Sequence, residues 1–571
     1  MKSRANLKSW LMLVLVVLAC VLAVRSAAGK EPPGPQDAYI DGSSHAYYGK
    51  DQGGWRNLRN QFTTRKLYGR QGQRQILHVL DGHPEEAVKD CEQWLASEPN
   101  DLESLFNLTV ARCALKDYKG AAESMTKAVE GGMPFARFLA GPREMLKPLR
   151  DTDEFRRYAA RYKIQLIHGP MLGCLTDTTA KFWVRTVDEV PVQVVLSTSK
   201  DLSSPIKSTR ASTTSKVDYT ATVEVGGLKP GTVYYYDVML NGNSALASER
   251  PSFRTYPPSP SKTRLSVAFG GGAKYTPVNE RMWDTIGSHS PQALLLLGDN
   301  VYIDLPQQLG DFHKYTYYRR QSRPEFRRLT RSIPVYSIWD DHDCAIGDCW
   351  MGPYRDKPSW KMSMLEGFRM NWNNPGYGTE QWPACWFKFS IADVDFFMLD
   401  GRFYRTNPYG DNPSMLGPVQ KAWLLSELKQ SKATFKVLAS PVPWSFNTKG
   451  ASLDTWNGFK DEREEIFGFL EENKIDGVVL ISADRHRSDA RKIERPNGYS
   501  FYEFESSRLT NDSVHRLVPG AIFGYNKKPS FGLLSFDTAR ADPTVTFQII
   551  SIDNEPVHSL TLQHSEISHK K

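Results

Sequence analysis

Ala293-Leu294-Leu295-Leu296-Leu297-Gly298-Asp299-Asn300-Val301-Tyr302 is the stretch on which the reading of this chain turns. Its first half is an unbroken apolar run, too short for an ordinary helix, and reads as a strand buried on both faces. The run stops at a glycine followed at once by a carboxylate. Moving outward, the same grammar repeats. Residues 265–269 run into Gly270-Gly271-Gly272, and 333–338 run into Trp339-Asp340-Asp341-His342-Asp343. Residues 478–481 run into Ser482-Ala483-Asp484-Arg485-His486, and the strand-like 499–504 run into Glu505-Ser506-Ser507-Arg508. Helical patterns at 420–430 and 461–473 lie between them. In open α/β sheets the carboxyl ends of the strands line the ligand crevice, so polar groups far apart in sequence should converge there.

Those groups suit hard cations. Carboxylate, phenol and imidazole fit Fe(III), Zn, Mn or Ca better than a soft metal. Asp299 is the candidate for a carboxylate shared between two ions, and Tyr302, three residues on, can reach the same ion as phenolate, which favours iron at one position. Two metals about 4 Å apart can clamp a phosphate and supply a hydroxide for in-line attack.

Four segments, Leu-Leu-Gly-Asp-Asn-Val-Tyr, Ile-Trp-Asp-Asp-His-Asp, Asp400-Gly401-Arg402-Phe403-Tyr404-Arg405 and Ser-Ala-Asp-Arg-His, closely resemble the PhoD-like alkaline phosphatases and phosphodiesterases of the calcineurin-like metallophosphoesterases. The resemblance implies that Asp299 bridges the metals, that Tyr302 binds iron, and that Asp341, Asp484 and His486 are further metal ligands. It gives His342 the task of assisting the leaving oxygen and Arg402 that of holding the phosphoryl group, with Asp340 beside them in the catalytic group. Iron and calcium are the implied metals. One position departs from the family: the first strand ends in Gly272 where a ligating cysteine is expected, which leaves zinc or manganese open. Trp350, Trp360, Trp372, Trp382 and Trp386 read as core and lid packing, with a substrate-stacking wall as the alternative.

The remaining segments set the frame. A length of 571 residues calls for several domains. Lys2, Arg4 and Lys8, an apolar run from Leu11 to Val24, and Ser26-Ala27-Ala28 read as a signal peptide over 1–28, hence a secreted or periplasmic, cell-envelope protein with no stable membrane span. Residues 29–72 read as a linker or loose arm. Residues 73–163 carry a helical repeat of about 34 residues that resembles tetratricopeptide repeats. Two repeats are too few to stand alone, so they should dock on a neighbour, with a protein partner as the implied role. Residues 164–258 read as an immunoglobulin- or fibronectin III-like β-sandwich. Gly227-Leu228-Lys229-Pro230-Gly231 before a Tyr-rich strand resembles a tyrosine corner. Residues 263–555 form the α/β metallophosphoesterase sandwich and 556–571 a tail. The net charge of +8 is small for this length, and no basic run marks a nucleic-acid face. Of the cysteines beyond the signal, Cys344 and Cys349 are the closest pair and could close a small loop.

The sequence therefore points to an exported phosphomonoesterase or phosphodiesterase with a binuclear hard-metal site. Two other readings stand beside it: a catalytically weakened phosphate- or phospholipid-binding protein, motivated by Gly272, and an interaction protein led by its helical repeats.

Overall fold

The structure is a computed structural model that describes residues 68–246, 249–306 and 310–570. The expected signal segment and most of the expected arm lie outside the described residues.

The chain is first described in four helices, α1 (Tyr68–Leu80), α2 (Pro84–Ser97), α3 (Leu102–Ala114) and α4 (Tyr118–Glu130). Local chemistry starts them. Pro84 occupies the first turn of α2, where its missing N–H costs nothing. The side chains of Asp101 and Asp117 accept from Ser104 N and Gly120 N, capping α3 and α4. Ala87 and Ala121 are fully buried where the helices meet. Helix α3 is buried on nearly all sides, including Glu103 and Asn107, because it lies against helix Asp311–Gln321 of the last domain. Tyr315 Oη donates to Glu103 Oε2 at 2.7 Å, and Asn107 Nδ2 donates to Tyr315 Oη at 3.2 Å. Gln73 of α1 donates to the backbone oxygen of Tyr302 at 2.9 Å. The helices expected to dock on a neighbour lie against this same chain.

Two antiparallel sheets follow. One contains Leu166–Gly173, Ala180–Thr186 and Thr220–Val225; the other is centred on Pro191–Ser197 and Val233–Leu240. Phe182, Tyr236 and Phe253 fill the space between them. Lys229 N donates to Tyr234 Oη at 2.9 Å, pinning the turn before its strand. The buried Arg185 ties this sandwich to the last domain through Asn371 Oδ1 at 2.9 Å and Gln321.

The last domain holds β1 (Arg264–Gly270), β2 (Ala293–Leu297), β3 (Val335–Ile338), β4 (Phe387–Ile391), β5 (Val394–Met398), β6 (Phe435–Ala439), β7 (Val478–Ser482), β8 (Ser488–Ile493), β9 (Phe501–Ser506), β10 (Ala521–Tyr525), β11 (Ser530–Asp537), β12 (Thr544–Ser551) and β13 (Pro556–Gln563), of which β1, β2, β3, β7 and β9 are the runs read from the sequence. They form two sheets, ordered β3-β2-β1-β11-β12-β13 and β4-β5-β6-β7-β9-β8-β10. The first three strands run parallel, as do β5, β6, β7 and β9. The sheets face each other through stacked Phe504 and Phe547, 4.5 Å apart, and through Phe435 and Phe536 at 5.3 Å. A parallel bridge from Gly271 to Ser507 joins the sheets where β1 and β9 end. The segment expected to be a tail is instead the edge strand β13 followed by a short helical turn at His564–Ile567. Its half-buried alternation and its pairing with β12 override the polar look of its sequence.

Candidate metal centre

The loop after β2 is folded by a carboxylate. Gly298, Asp299, Tyr302 and Asp304 all have positive φ. Asp343 holds that turn by accepting from Asn300 N at 2.8 Å and Val301 N at 3.0 Å, and it also accepts from Asp340 N at 3.2 Å. Burial pushes the Asp343 pKa up to about 7 against the pull of these donors. Gly298 is required here, since a Cβ would sit 2.5 Å from the Cβ of Asp340. The ends of β2 and β3 are thereby brought into contact, and Asp299 lands beside Asp341 and His342.

Donor atoms of Asp299, Asp341 and His342 lie within 4.8 Å of one another. Tyr302 Oη donates to Asp299 Oδ2 at 2.7 Å and lies 3.2 Å from His486 Nε2. His486 Nε2 is 4.0 Å from Asp299 Oδ2. Asn511 Nδ2 donates to Tyr302 Oη at 2.6 Å, so Asn511 belongs to the site although no motif marks it. The rings of Tyr302 and His342 stack with centroids 4.5 Å apart. His342 bonds through Nδ1 to Asp304, a second residue that sequence reasoning missed. Its spacing from Asp299 was the available signal, but it ends no strand.

Burial raises the Asp299 pKa well above the usual carboxylate range, and Asp341 and Asp343 add to the shift. Burial opposes charge on His342 too, but Asp304, Asp299 and Asp341 outweigh it and hold that imidazole well above its ordinary value. Burial, with His515, pushes His486 well below its own. Asp299 Oδ1 is buried and has no hydrogen-bond partner. A buried carboxylate oxygen without a donor is costly, and a hard cation among Asp, His and Tyr ligands removes the cost. The residues present therefore fit a metal.

A second acid group shares Asp341. Carboxylate oxygens of Asp341, Asp348 and Asp454 also lie within 4.8 Å of one another. Here the chain brings its own cations. Lys449 Nζ donates to Asp348 Oδ1 at 2.6 Å and Asp454 Oδ2 at 2.7 Å, and is 3.6 Å from Asp484 Oδ2. Burial works against charge on Asp484, yet Lys449 and Arg485 draw its pKa down to about 2. Asp484, expected among the metal ligands, is in this arrangement an ion-pair acceptor.

Arg402 also departs from expectation. Its side chain is 0% exposed. Nε donates to Asp340, and Nη1 donates to Asp454 Oδ1 at 2.6 Å and to the carbonyl of Cys349 at 3.0 Å. The fork expected to hold a phosphoryl group is committed to the protein, and Asp340 is its partner behind the loop. Arg485 donates through Nη1 to Asp484 Oδ2 at 3.5 Å, and its buried Nε has no hydrogen-bond partner.

Gly272 lies against His486. A Cβ there would stand 3.3 Å from His486 Cδ2, but only 2.9 Å from Arg508 N, and φ is +65°. The position thus borders the centre while its backbone disfavours any side chain. Trp350, Trp360, Trp372 and Trp386 are buried in the core, which excludes them from a stacking wall. Glu505 accepts from Arg485 N at 3.1 Å, placing the end of β9 at the rim. Among the described residues the cysteines are free thiols, with Cys344 and Cys349 Sγ 3.7 Å apart.

Comparison with known proteins agrees with this geometry. Residues 267–528 match the family described as PhoD-like phosphatase, and residues 163–259 match a domain of unknown function (DUF7800). Alkaline phosphatase D of Bacillus subtilis (strain 168) is 23% identical over 325 residues, 48% of this chain and 54% of that protein. The chain therefore spans about half the length of that curated relative. A solved structure of PhoD superposes with a TM-score of 0.58 at 16% identity, over 70% of this chain and 90% of the other. Purple acid phosphatase PPD1 from yellow lupin (Lupinus luteus) gives 0.53 at 11% identity, over 70% of this chain and 76% of its own. At these identities the two structures establish the fold alone. The matched segment runs through β10, includes every loop that builds the centre, and is similar to the PhoD-like phosphatases.

Proposed function

We propose that the protein hydrolyses phosphate esters, mono- or diesters, at a binuclear metal centre built on Asp299. The observation that carries this reading is Asp299 itself: its Oδ2 meets Tyr302 and His486, its carboxylate lies among the donor atoms of Asp341 and His342, and its buried Oδ1 has no hydrogen-bond partner. Tyr302 and His486 would hold one ion, Asp341 the other, and Asp299 both. Iron with calcium is the pairing the family suggests; Gly272 keeps zinc and manganese in play. Bound there, such ions supply Lewis acidity and lower the pKa of water.

The chain's residues do the rest. Asp304 keeps the His342 imidazole protonated and fixes Nδ1, which leaves Nε2 to hand a proton to the departing oxygen. Arg485 takes the phosphate-holding role that the committed Arg402 cannot. With the export signal read over 1–28, the site of action is outside the cytoplasm. Among the described residues no helix is long and apolar enough to cross a membrane.

The test is steady-state hydrolysis of p-nitrophenyl phosphate and its bis-ester by protein loaded with Fe, Ca, Mn or Zn. Turnover is expected, and Asp299→Asn should lower kcat by about 1,000-fold. Metal-loaded protein without turnover would support the second reading, a phosphate-binding protein weakened by Gly272. Undiminished activity of Asp299→Asn would remove the site assignment.

A further inference from the structure

Two groups of metal-ligand side chains stand side by side at the same strand ends and share Asp341; one has His342 as its third member, and the other is bridged by Lys449. We propose that Lys449 is a built-in cation of the centre: its ammonium fills the Asp341–Asp348–Asp454 pocket and keeps a divalent ion out of it. This rests on the reading that the neighbouring Asp299 pocket takes metal.

The argument is one of donors and charge. Three carboxylate oxygens within 4.8 Å of one another are an ordinary donor set for a hard dication. Here two of the three carboxylates accept from Lys449 Nζ, at 2.6 Å and 2.7 Å. Asp484 Oδ2 stands 3.6 Å from the same ammonium, within ion-pair range. The ammonium thus meets three carboxylates, two by hydrogen bonds and one as an ion pair. Asp454 is neutralised again from its other side by Arg402 Nη1 at 2.6 Å and Arg405 Nη1 at 3.0 Å. Arg402 Nη2 also stands 3.9 Å from Asp341 Oδ2. A dication entering this pocket would meet positive charge on two sides and would have to evict the ammonium.

Lys449 also joins three strand ends. It projects from the loop after β6 and reaches Asp348 in the loop after β3 and Asp484 in the loop after β7. A metal ion can cross-link loops in the same way, but only when it is available. A covalently attached ammonium holds the loops at any metal concentration, and it confines exchangeable metal to the Asp299 pocket. It is therefore a positioning residue and a determinant of metal stoichiometry.

The experiment uses the full chain as wild type, Lys449→Met and Lys449→Arg, dialysed against calcium or manganese, with bound metal counted by elemental analysis and thermal unfolding followed with and without the ion. Lys449→Met should bind about one further equivalent and show an ion-dependent rise in Tm beyond that of wild type. Lys449→Arg, which keeps the charge, should bind as wild type does. A folded Lys449→Met with the wild-type equivalents overturns the proposal. Asp348→Asn in the wild-type background guards against a Lys449→Met protein that does not fold. Asp348 binds no metal under the proposal, so the count should not change, and loss of an equivalent overturns it. Asp299→Asn separates the two readings, since it should remove metal from wild type and Lys449→Met alike. Its failure to do so would sink the Asp299 site without touching the Lys449 result.

Discussion

The Asp299 pocket and the Lys449 pocket share an aspartate and differ in what meets their acids. Both are lined by aspartates in loops that follow parallel strands, and both use Asp341. In one, Lys449 and Arg402 arrive from later loops and leave no carboxylate uncompensated. In the other, Asp299 Oδ1 has no partner and burial holds its pKa high. Residue type does not decide whether an acid cluster binds metal or folds as an ion-pair network. What differs between these two is whether a basic side chain from a distant loop reaches the acids.

The contrast can be broken most forcefully at Arg402. Removing one partner of a buried ion-pair network strands the others, so Arg402→Ala should lower unfolding stability by about 3–5 kcal/mol, read by denaturant unfolding. A neutral result would mean that Asp340 and Asp454 are relieved by something other than Arg402. In metal-free protein Asp299→Asn should act with the opposite sign, raising stability, because it removes a buried carboxylate that has an unpaired oxygen.

A pH dependence sharpens the Asp299 side. His313 donates through Nε2 to the carbonyl of Leu305, beneath the loop that carries Tyr302 and Asp304. Burial lowers its pKa to about 4, with only the carbonyl pulling the other way. The unfolded chain takes up this proton near pH 6.5 and the folded chain only near pH 4. Acidification across that window therefore protonates the unfolded state first and costs about 3 kcal/mol. His313→Gln keeps a donor but does not titrate, and stability curves between pH 4 and 6.5 should flatten in that variant. The smallest effect is expected at Gly272, where Ala in a left-handed backbone should cost about 1–2 kcal/mol in Tm measurements. A stabilised Gly272→Ala would show that the turn beside His486 can relax to accept a family-like cysteine.

Much of this was legible before any coordinates. The runs at β2, β3 and β7 are buried because nothing polar interrupts them, and the residues after them do meet around Asp299 and Asp341. His486 and Tyr302 were placed by the same logic, and they meet at 3.2 Å. Asn511, Asp304, Lys449 and Asp454 were not legible, since each lies in a loop with no periodicity and acts across a long separation in sequence. Arg402 was read for the wrong partner. A guanidinium beside an aspartate-rich run looks alike whether its fork faces solvent or Asp340 and Asp454. The segment 556–571 looked like a tail because an edge strand is only half apolar.

The sequence by itself determined the buried strands β2, β3 and β7 and which acids and imidazoles follow them, because apolar runs and the polar residues that end them are local properties of the chain. Only the tertiary structure decided which of those acids are satisfied. That depends on side chains such as Lys449 and Arg402 crossing from other loops, and charge compensation in a buried site is set by distance in space, not in sequence.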